Sequence, residues 1–308
     1  MKRKEILSLA FVSLLLMGLA SACKHVSETA VANAVLNVES YTAADSSKYA
    51  HLDMKVDLPL LDGPVAQAIR QQLVSVLGER LSHVTSYESD QLYPTYDGDA
   101  TETKSLLDYY REQTMKLLAS LSQSDVDERI KYINEAEELS AEEKALQINE
   151  IPKWEYSYEL TKVADTLGYV VFLSQDYIYM GGAHGGVGGD GYLTFDREDG
   201  TMVEQMLDSA CVEQIQPLLV KGLLSYYNDC EEPLSEEDMR DRLQIEGDII
   251  PLPVQQPCPS KDGLVFTYQQ YEIASYADGM PSFVIAYDKI APFMTPRAKK
   301  VCAAFMSF

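Results

Sequence analysis

The chain is poor in the groups that most enzymes and nucleic-acid binders rely on: four histidines, one tryptophan against twenty tyrosines, and 25 basic residues against 48 acidic ones. Each shortage excludes something. None of His25, His51 and His83 stands in H-x-x-x-H or H-x-H spacing with His184, so no local pattern marks a metal site, and no metal or other cofactor is expected. There is no G-x-x-x-x-G-K-[ST] loop for nucleotide phosphates and no G-x-S-x-G elbow for a serine nucleophile. A body this acidic repels phosphate backbones and anionic lipid surfaces, which excludes nucleic acid as a partner. Internal repeats and low-complexity tails are absent as well.

What is present begins with an address. "MKRKEILSLAFVSLLLMGLASAC" has a basic start (Lys2, Arg3, Lys4) and a short apolar run ending in small residues. That is the form of an export signal, too short and wrongly flanked for a spanning helix. Ala20-Ser21-Ala22 suits ordinary signal peptidase, while Leu19 to Cys23 suits a degenerate bacterial lipobox with alanine where leucine is usual. Cysteine parity favours the lipobox. Lipid on Cys23 leaves Cys211, Cys230, Cys258 and Cys302, an even set suited to disulfides in an oxidising compartment. Residues 1–22 then form the signal and 23–34 a tether, and the lipid holds the protein to the membrane. Removing Lys2, Arg3, Lys4 and Glu5 leaves 22 basic and 47 acidic residues, a net charge of −25.

The remainder reads as α+β, with an N-terminal domain over 35–190 and a C-terminal one over 191–308. In "HLDMKVDLPLL", Leu52, Met54, Val56 and Leu58 alternate with polar residues, the two-residue period of a half-buried strand. Pro64 then opens a helix carrying Val65, Ile69, Leu73 and Val76. Residues 103–150 are helical and acidic: "LLDYYREQTMKLLASL" is amphipathic, and Ser140 with Glu143 forms a capping box. The acidic residues of this segment read as a solvated face. Strands return at "WEYSYELTKV", where Trp154, Tyr156, Tyr158 and Leu160 share a face, and at "GYVVFLSQDYIYM", a pattern expected to give antiparallel neighbours. A turn at Arg197-Glu198-Asp199-Gly200 leads to a helix over 212–228, and "GLVFTYQQYEI" and "SFVIAYDKI" close the chain as two strands.

That last helix constrains the disulfides. Spanned by it, Cys211 and Cys230 would stand roughly 28 Å apart, too far to bridge. That leaves Cys211 with Cys258 or Cys302 and Cys230 with the other, and Cys230 with Cys258 and Cys211 with Cys302 is the favoured pairing.

The stretch "YIYMGGAHGGVGGDGYLTF" holds seven of the 17 glycines. Gly186 to Gly191 matches G-x-G-x-x-G, but a strand follows where a dinucleotide site needs a helix. His184 has carboxylates near it in sequence, Asp176 and Asp190, able to orient an imidazole. The simpler reading makes Gly181, Gly182, His184 and Gly185 a structural corner, in which glycines permit tight turning and the imidazole satisfies backbone groups.

Two segments carry a family likeness. "YMGGAHGG" with "YLTFDREDGTMVEQML", followed by "DGLVFTYQQYEIASYADGMPSFVIAYDKI", resembles the paired extracytoplasmic domains of the lysozyme-sensing anti-sigma-V factor and of the N-terminal region of some peptidoglycan deacetylases, domains that also stand alone as lipoproteins. The likeness runs from about residue 35 to 295. Tyr271, Glu272, Ile273, Ala274, Tyr276, Ala277 and Gly279 keep the pattern of its closing loop, with Ser275 in place of the usual proline. The resemblance implies two α+β domains that bind something in the cell envelope, and no catalytic residues. No deacetylase metal pattern is found.

Two functions follow. In the first, the protein is a membrane-anchored lipoprotein of the bacterial envelope and a non-catalytic binding module. Its ligand is an envelope protein or glycan, such as a lysozyme-like hydrolase or peptidoglycan fragments. The loop "YEIASYADGMP" presents Tyr276 and Asp278, with Glu272 as a further binding candidate, while Tyr271 and Ile273 anchor it. A basic hydrolase is attracted by the acidic body. The alternative is a hydrolase or transferase in which His184 works beside Glu272 or Asp278. No pattern specifies oligomeric state, or which side of the envelope the protein faces.

Overall fold

The computed structural model describes residues 35–83, 91–182, 186–228 and 233–306. Cys23, His184, Gly185 and Cys230 therefore lie outside the described residues. Two compact units divide the chain: Val35–Lys162 with Phe172–Met202, and Val163–Val171 with Val203–Phe308. Both mix helices and sheet, so the fold is α+β as expected. Among the described residues no helix is long and apolar enough to cross a membrane.

The first unit is organised by a five-stranded sheet in the order β1 (Val38–Ser46), β2 (Ala50–Pro59), β3 (Trp154–Asp165), β4 (Tyr169–Tyr179), β5 (Val187–Asp196). The alternation in β2 does what its period dictates, since Leu52, Met54, Val56 and Leu58 are all buried. Trp154, Tyr156, Tyr158 and Leu160 of β3 are buried too. Truncating one such aliphatic side chain to alanine costs about 2–5 kcal/mol. The alternation alone leaves the direction of pairing between these two strands open. β2 runs parallel to β3, with Ala50 opposite Trp154 and Val56 opposite Leu160. A parallel pair needs a long crossover, and residues 60–153 supply one.

Helices fill that crossover. In α1 (Pro64–Ser82), proline sits at the first turn and Ala66, Ile69, Leu73, Leu77 and Leu81 form the buried stripe. α2 (Thr103–Glu135) runs 33 residues, within the stretch expected to be helical and past its amphipathic part. Its buried positions, from Leu106 and Leu107 through Tyr110, Thr114, Leu118 and Ser122, end at Val126. The last turns lack a buried face. Arg70, only 4% exposed, ties the crossover together. Its guanidinium donates to Pro59 O at 3.1 Å, Ala100 O at 2.9 Å and Thr103 Oγ1 at 3.0 Å, and burial lowers its pKa. α3 (Ala141–Asn149) begins with the expected capping box of Ser140 and Glu143.

The second unit is smaller in sheet. β6 (Cys258–Pro259), β7 (Gly263–Thr267) and β8 (Ser282–Ala286) lie side by side, β7 antiparallel to β8 with Gly263 opposite Ala286. Phe266 and Phe283 stack with ring centroids 5.6 Å apart, and α4 (Gln216–Asn228) packs on β8. α4 starts four residues later than expected, because Pro217 is accommodated in its first turn and Cys211 belongs to a separate 3-10 turn, Ser209–Cys211. α5 (Glu236–Arg242) follows. "YDKI" is helical, as α6 (Tyr287–Ile290), instead of continuing the last strand, and α7 (Pro296–Cys302) closes the unit.

The cysteines correct the disulfide expectation. Cys211, Cys258 and Cys302 are buried thiols outside any disulfide, so neither the Cys211–Cys302 bridge nor a bridge from Cys258 to Cys230 is formed. Cys302 lies against the Tyr287 hydroxyl, and burial raises its pKa to about 11 despite that hydrogen bond.

Candidate functional site

The loop between β7 and β8 is built by its carboxylates. Glu272 accepts from Gln269 N through one oxygen and from Val254 N through the other, each at 2.7 Å. The first bond closes the loop and the second ties it to the proline-rich segment before β6. Burial raises the pKa of Glu272, opposed by those two backbone donors. Ser275 donates to Asp278 through both its backbone N–H and its hydroxyl, fixing the 3-10 turn Tyr276–Asp278. The other oxygen of Asp278 stands 3.9 Å from Arg242, and the Tyr226 hydroxyl donates to its carbonyl at 2.8 Å. Asp278 is therefore a hinge pin, with its side chain 16% exposed.

One tyrosine departs from its expected place. Ile273 anchors the loop, fully buried, and its carbonyl accepts from Gln244 N at 2.7 Å. Tyr271, expected to anchor, is instead 53% exposed and adopts φ +63. It is the one described non-glycine residue with positive φ, a conformation uncommon for a bulky side chain. Its ring lies 5.7 Å from that of half-buried Tyr276. Val254, whose N–H donates to Glu272, is 76% exposed. Sequence reasoning missed Val254, Tyr226 and Arg242, which reach the loop from outside it and leave no local pattern.

In the other unit, the glycine stretch turns where β4 ends. Gly181 has φ +82, and a Cβ there would lie 2.7 Å from Pro152 Cγ and 3.5 Å from both Arg129 Nη atoms. The turn is held by Arg129, whose Nη2 donates to Met180 O at 3.1 Å and whose Nε donates to Asp125 at 2.9 Å. The same Asp125 oxygen accepts from the Trp154 indole at 3.0 Å. His184 and Gly185 lie beyond what is described.

The two carboxylates suggested as partners for His184 have partners of their own. Asp190 on β5 accepts from Gln175 at 2.7 Å, and Asp176 on β4 stands 3.8 Å from Arg80 of α1. Burial raises both pKa values, with Gln175 and Arg80 opposing. Among the described residues no group of three histidine, cysteine or carboxylate side chains is placed to hold a metal ion.

No curated protein matches the chain. Two solved structures share its fold: a member of the DUF3298 family from Bacteroides fragilis, TM-score 0.61, covering 88% of this chain and 98% of that one, and a DUF3298 family protein from Pseudomonas aeruginosa, TM-score 0.50, covering 85% and 96%. Each is 15% identical in sequence. Residues 221–288 match the family described as "Protein of unknown function (DUF3298)". That segment contains most of α4, the small sheet and the whole tyrosine loop, so the chain carries a DUF3298 domain and presents Tyr271 from it.

Proposed function

We propose that the protein is an exported envelope lipoprotein, anchored by lipid on Cys23, whose DUF3298 domain is a non-catalytic binding module. Its partner is a basic, lysozyme-like hydrolase of the envelope. Tyr271 carries this reading. A tyrosine held at φ +63 costs of order 1–3 kcal/mol, yet its ring is turned outward beside Tyr276 instead of being buried. An exposed tyrosine offers a large, rigid and amphipathic contact, and strain of this kind concentrates at binding surfaces. The charge of −25 on the mature chain supplies long-range attraction for a basic partner, an attraction that salt screens. The likeness to the lysozyme-sensing anti-sigma-V factor supports the same partner class. Glu272 and Asp278 serve as braces for the binding loop, each engaged with backbone N–H groups.

Purified lysozyme of the chicken type is the test ligand. Binding is expected at low salt and should weaken as salt rises. Tyr271→Ala is expected to weaken it at least tenfold, about 1.4 kcal/mol, with an unchanged circular dichroism spectrum. Absence of binding at low salt, or full affinity in the variant, rejects the proposal. Intact mass of the membrane-extracted protein tests the anchor separately: a free Cys23 amine without acyl mass removes it.

A further inference from the structure

The last turns of α2 carry no buried face, and the surface they form with α3 and residues 150–152 is a groove of about 400 Å³. That volume falls within the range of roughly 300–1,000 Å³ typical of small-molecule sites. Its apolar strip is Tyr132, 65% exposed, with Ile151 and Pro152. Its polar groups are Arg129, Gln147 and Glu150. Arg129 and Tyr132 are three apart on α2, and Gln147 and Glu150 are three apart at the end of α3, so each pair shares a side of its helix.

Chemistry narrows the ligand. Arg129 uses Nε on Asp125 and Nη2 on Met180 O, which fixes the guanidinium while Nη1 makes no hydrogen bond to the described residues. Gln147 offers both a donor and an acceptor, and Glu150 offers acceptors. The Arg129 charge is already balanced by Asp125 at 2.9 Å, and Glu150 adds a negative charge in a chain that is strongly acidic overall. An anionic ligand is repelled there, and a purely alkyl ligand would leave the polar groups dry and unmatched. A pyranose ring fits both requirements, with a C–H face for the tyrosine ring and hydroxyls at its edge that donate and accept.

We infer that this groove is a binding site for an uncharged saccharide, with Tyr132 as the stacking platform and Arg129, Gln147 and Glu150 as the hydroxyl-binding groups. The site belongs to the unit that lacks the tyrosine loop, and it stands independently of the hydrolase reading. The corner at Gly181 acquires a role in it, because Met180 O and the space above Gly181 set the position of Arg129.

Saturation-transfer NMR and calorimetry on the full chain in detergent, with cellobiose and N,N′-diacetylchitobiose, test the inference. Digalacturonic acid serves as the charged counterpart. At least one uncharged disaccharide should bind with millimolar affinity, and digalacturonic acid at least tenfold more weakly. Tyr132→Ala and Gln147→Ala, both at exposed positions, should each weaken binding about tenfold, and Tyr271→Ala should leave it unchanged. Failure of both uncharged disaccharides to bind overturns the inference. So does equal or tighter binding of the acidic one, or full affinity in Tyr132→Ala. Loss of lysozyme binding with saccharide binding intact strikes the hydrolase reading alone.

Discussion

The glycine corner after β4 and the tyrosine loop after β7 both reverse the chain between strands, and they hold their shapes by opposite means. At the corner, a side chain from elsewhere, Arg129, grips a backbone carbonyl, and the missing Cβ of Gly181 lets Pro152 close in. In the loop, its own side chains grip backbone N–H groups: Glu272 holds Gln269 and Val254, and Asp278 holds Ser275. The first arrangement depends on absent atoms and the second on present ones. The consequence lies in what each leaves over for a partner. The corner leaves the rigid, partly satisfied guanidinium of Arg129, whereas the loop leaves an exposed tyrosine in a strained conformation.

The largest expected effect comes from putting back the absent atom. Gly181→Ala places a Cβ against Pro152 at a positive φ, which should destabilise the protein by about 1–3 kcal/mol. Gly182, at φ +139 with open space around it, is the control: Gly182→Ala bears strain without a clash and should lower the melting temperature less. Equal losses in the two would show that Pro152 sets no limit on the corner. Glu272→Ala should cost about 1–2 kcal/mol, since two N–H groups lose their acceptor but water reaches the exposed Val254 side. A variant as stable as the parent would mean that the loop is braced in another way.

These contrasts explain what the sequence made legible. The alternation in β2 and β3, the proline start of α1 and the capping box of α3 are local consequences of side-chain chemistry, and they appear where the residues indicate. The parallel pairing of β2 with β3 is different, because it depends on two segments about a hundred residues apart and on whatever the crossover can cover. Helicity over 103–150 is legible, but the end of α2 is not, for a related reason: beyond Val126 no buried stripe continues, so periodicity has nothing to report. Glu272 and Asp278 are expected from the sequence to meet a partner and are found bracing the loop, because a carboxylate that braces backbone and one that meets a ligand look alike in sequence. Tyr271 and Ile273 look alike as anchors in the sequence, and only the fold separates them, burying Ile273 and leaving Tyr271 exposed at positive φ.

The buried carboxylates give a pH test of the corner's sheet. Asp190 and Asp176 have folded-state pKa values raised above their ordinary ones, chiefly by burial, with Arg80 and Gln175 opposing. For an acid shifted this way, the folded state binds the proton more tightly than the unfolded state. The associated stability is complete below the unfolded pKa and is lost as pH rises through the folded one. Asp190→Asn keeps an acceptor for Gln175 and removes the buried charge. It should raise the melting temperature at neutral pH, and its advantage should shrink as the solution is acidified into the carboxylate range. An advantage that stayed constant with pH would show that Asp190 is not penalised by its burial.

The smallest effect is expected at Tyr271, and it sharpens the contrast most, because it separates strain from function. Asparagine tolerates the left-handed region far better than tyrosine does, and the Tyr271 ring is half in solvent, so little packing is lost on replacing it. Tyr271→Asn should therefore leave stability unchanged or raise it by about 0.5–1 kcal/mol. Lysozyme binding should fall with it, since the aromatic surface shared with Tyr276 is gone. Tyr271→Phe, which keeps the ring and the strain but not the hydroxyl, should retain most of the binding. A destabilised asparagine variant would mean that the tyrosine ring packs well enough to offset its own strain, making it the anchor that the sequence first suggested. A stable variant with unimpaired binding would leave the strain at Tyr271 without a functional reason and move the search for the partner surface elsewhere in the domain.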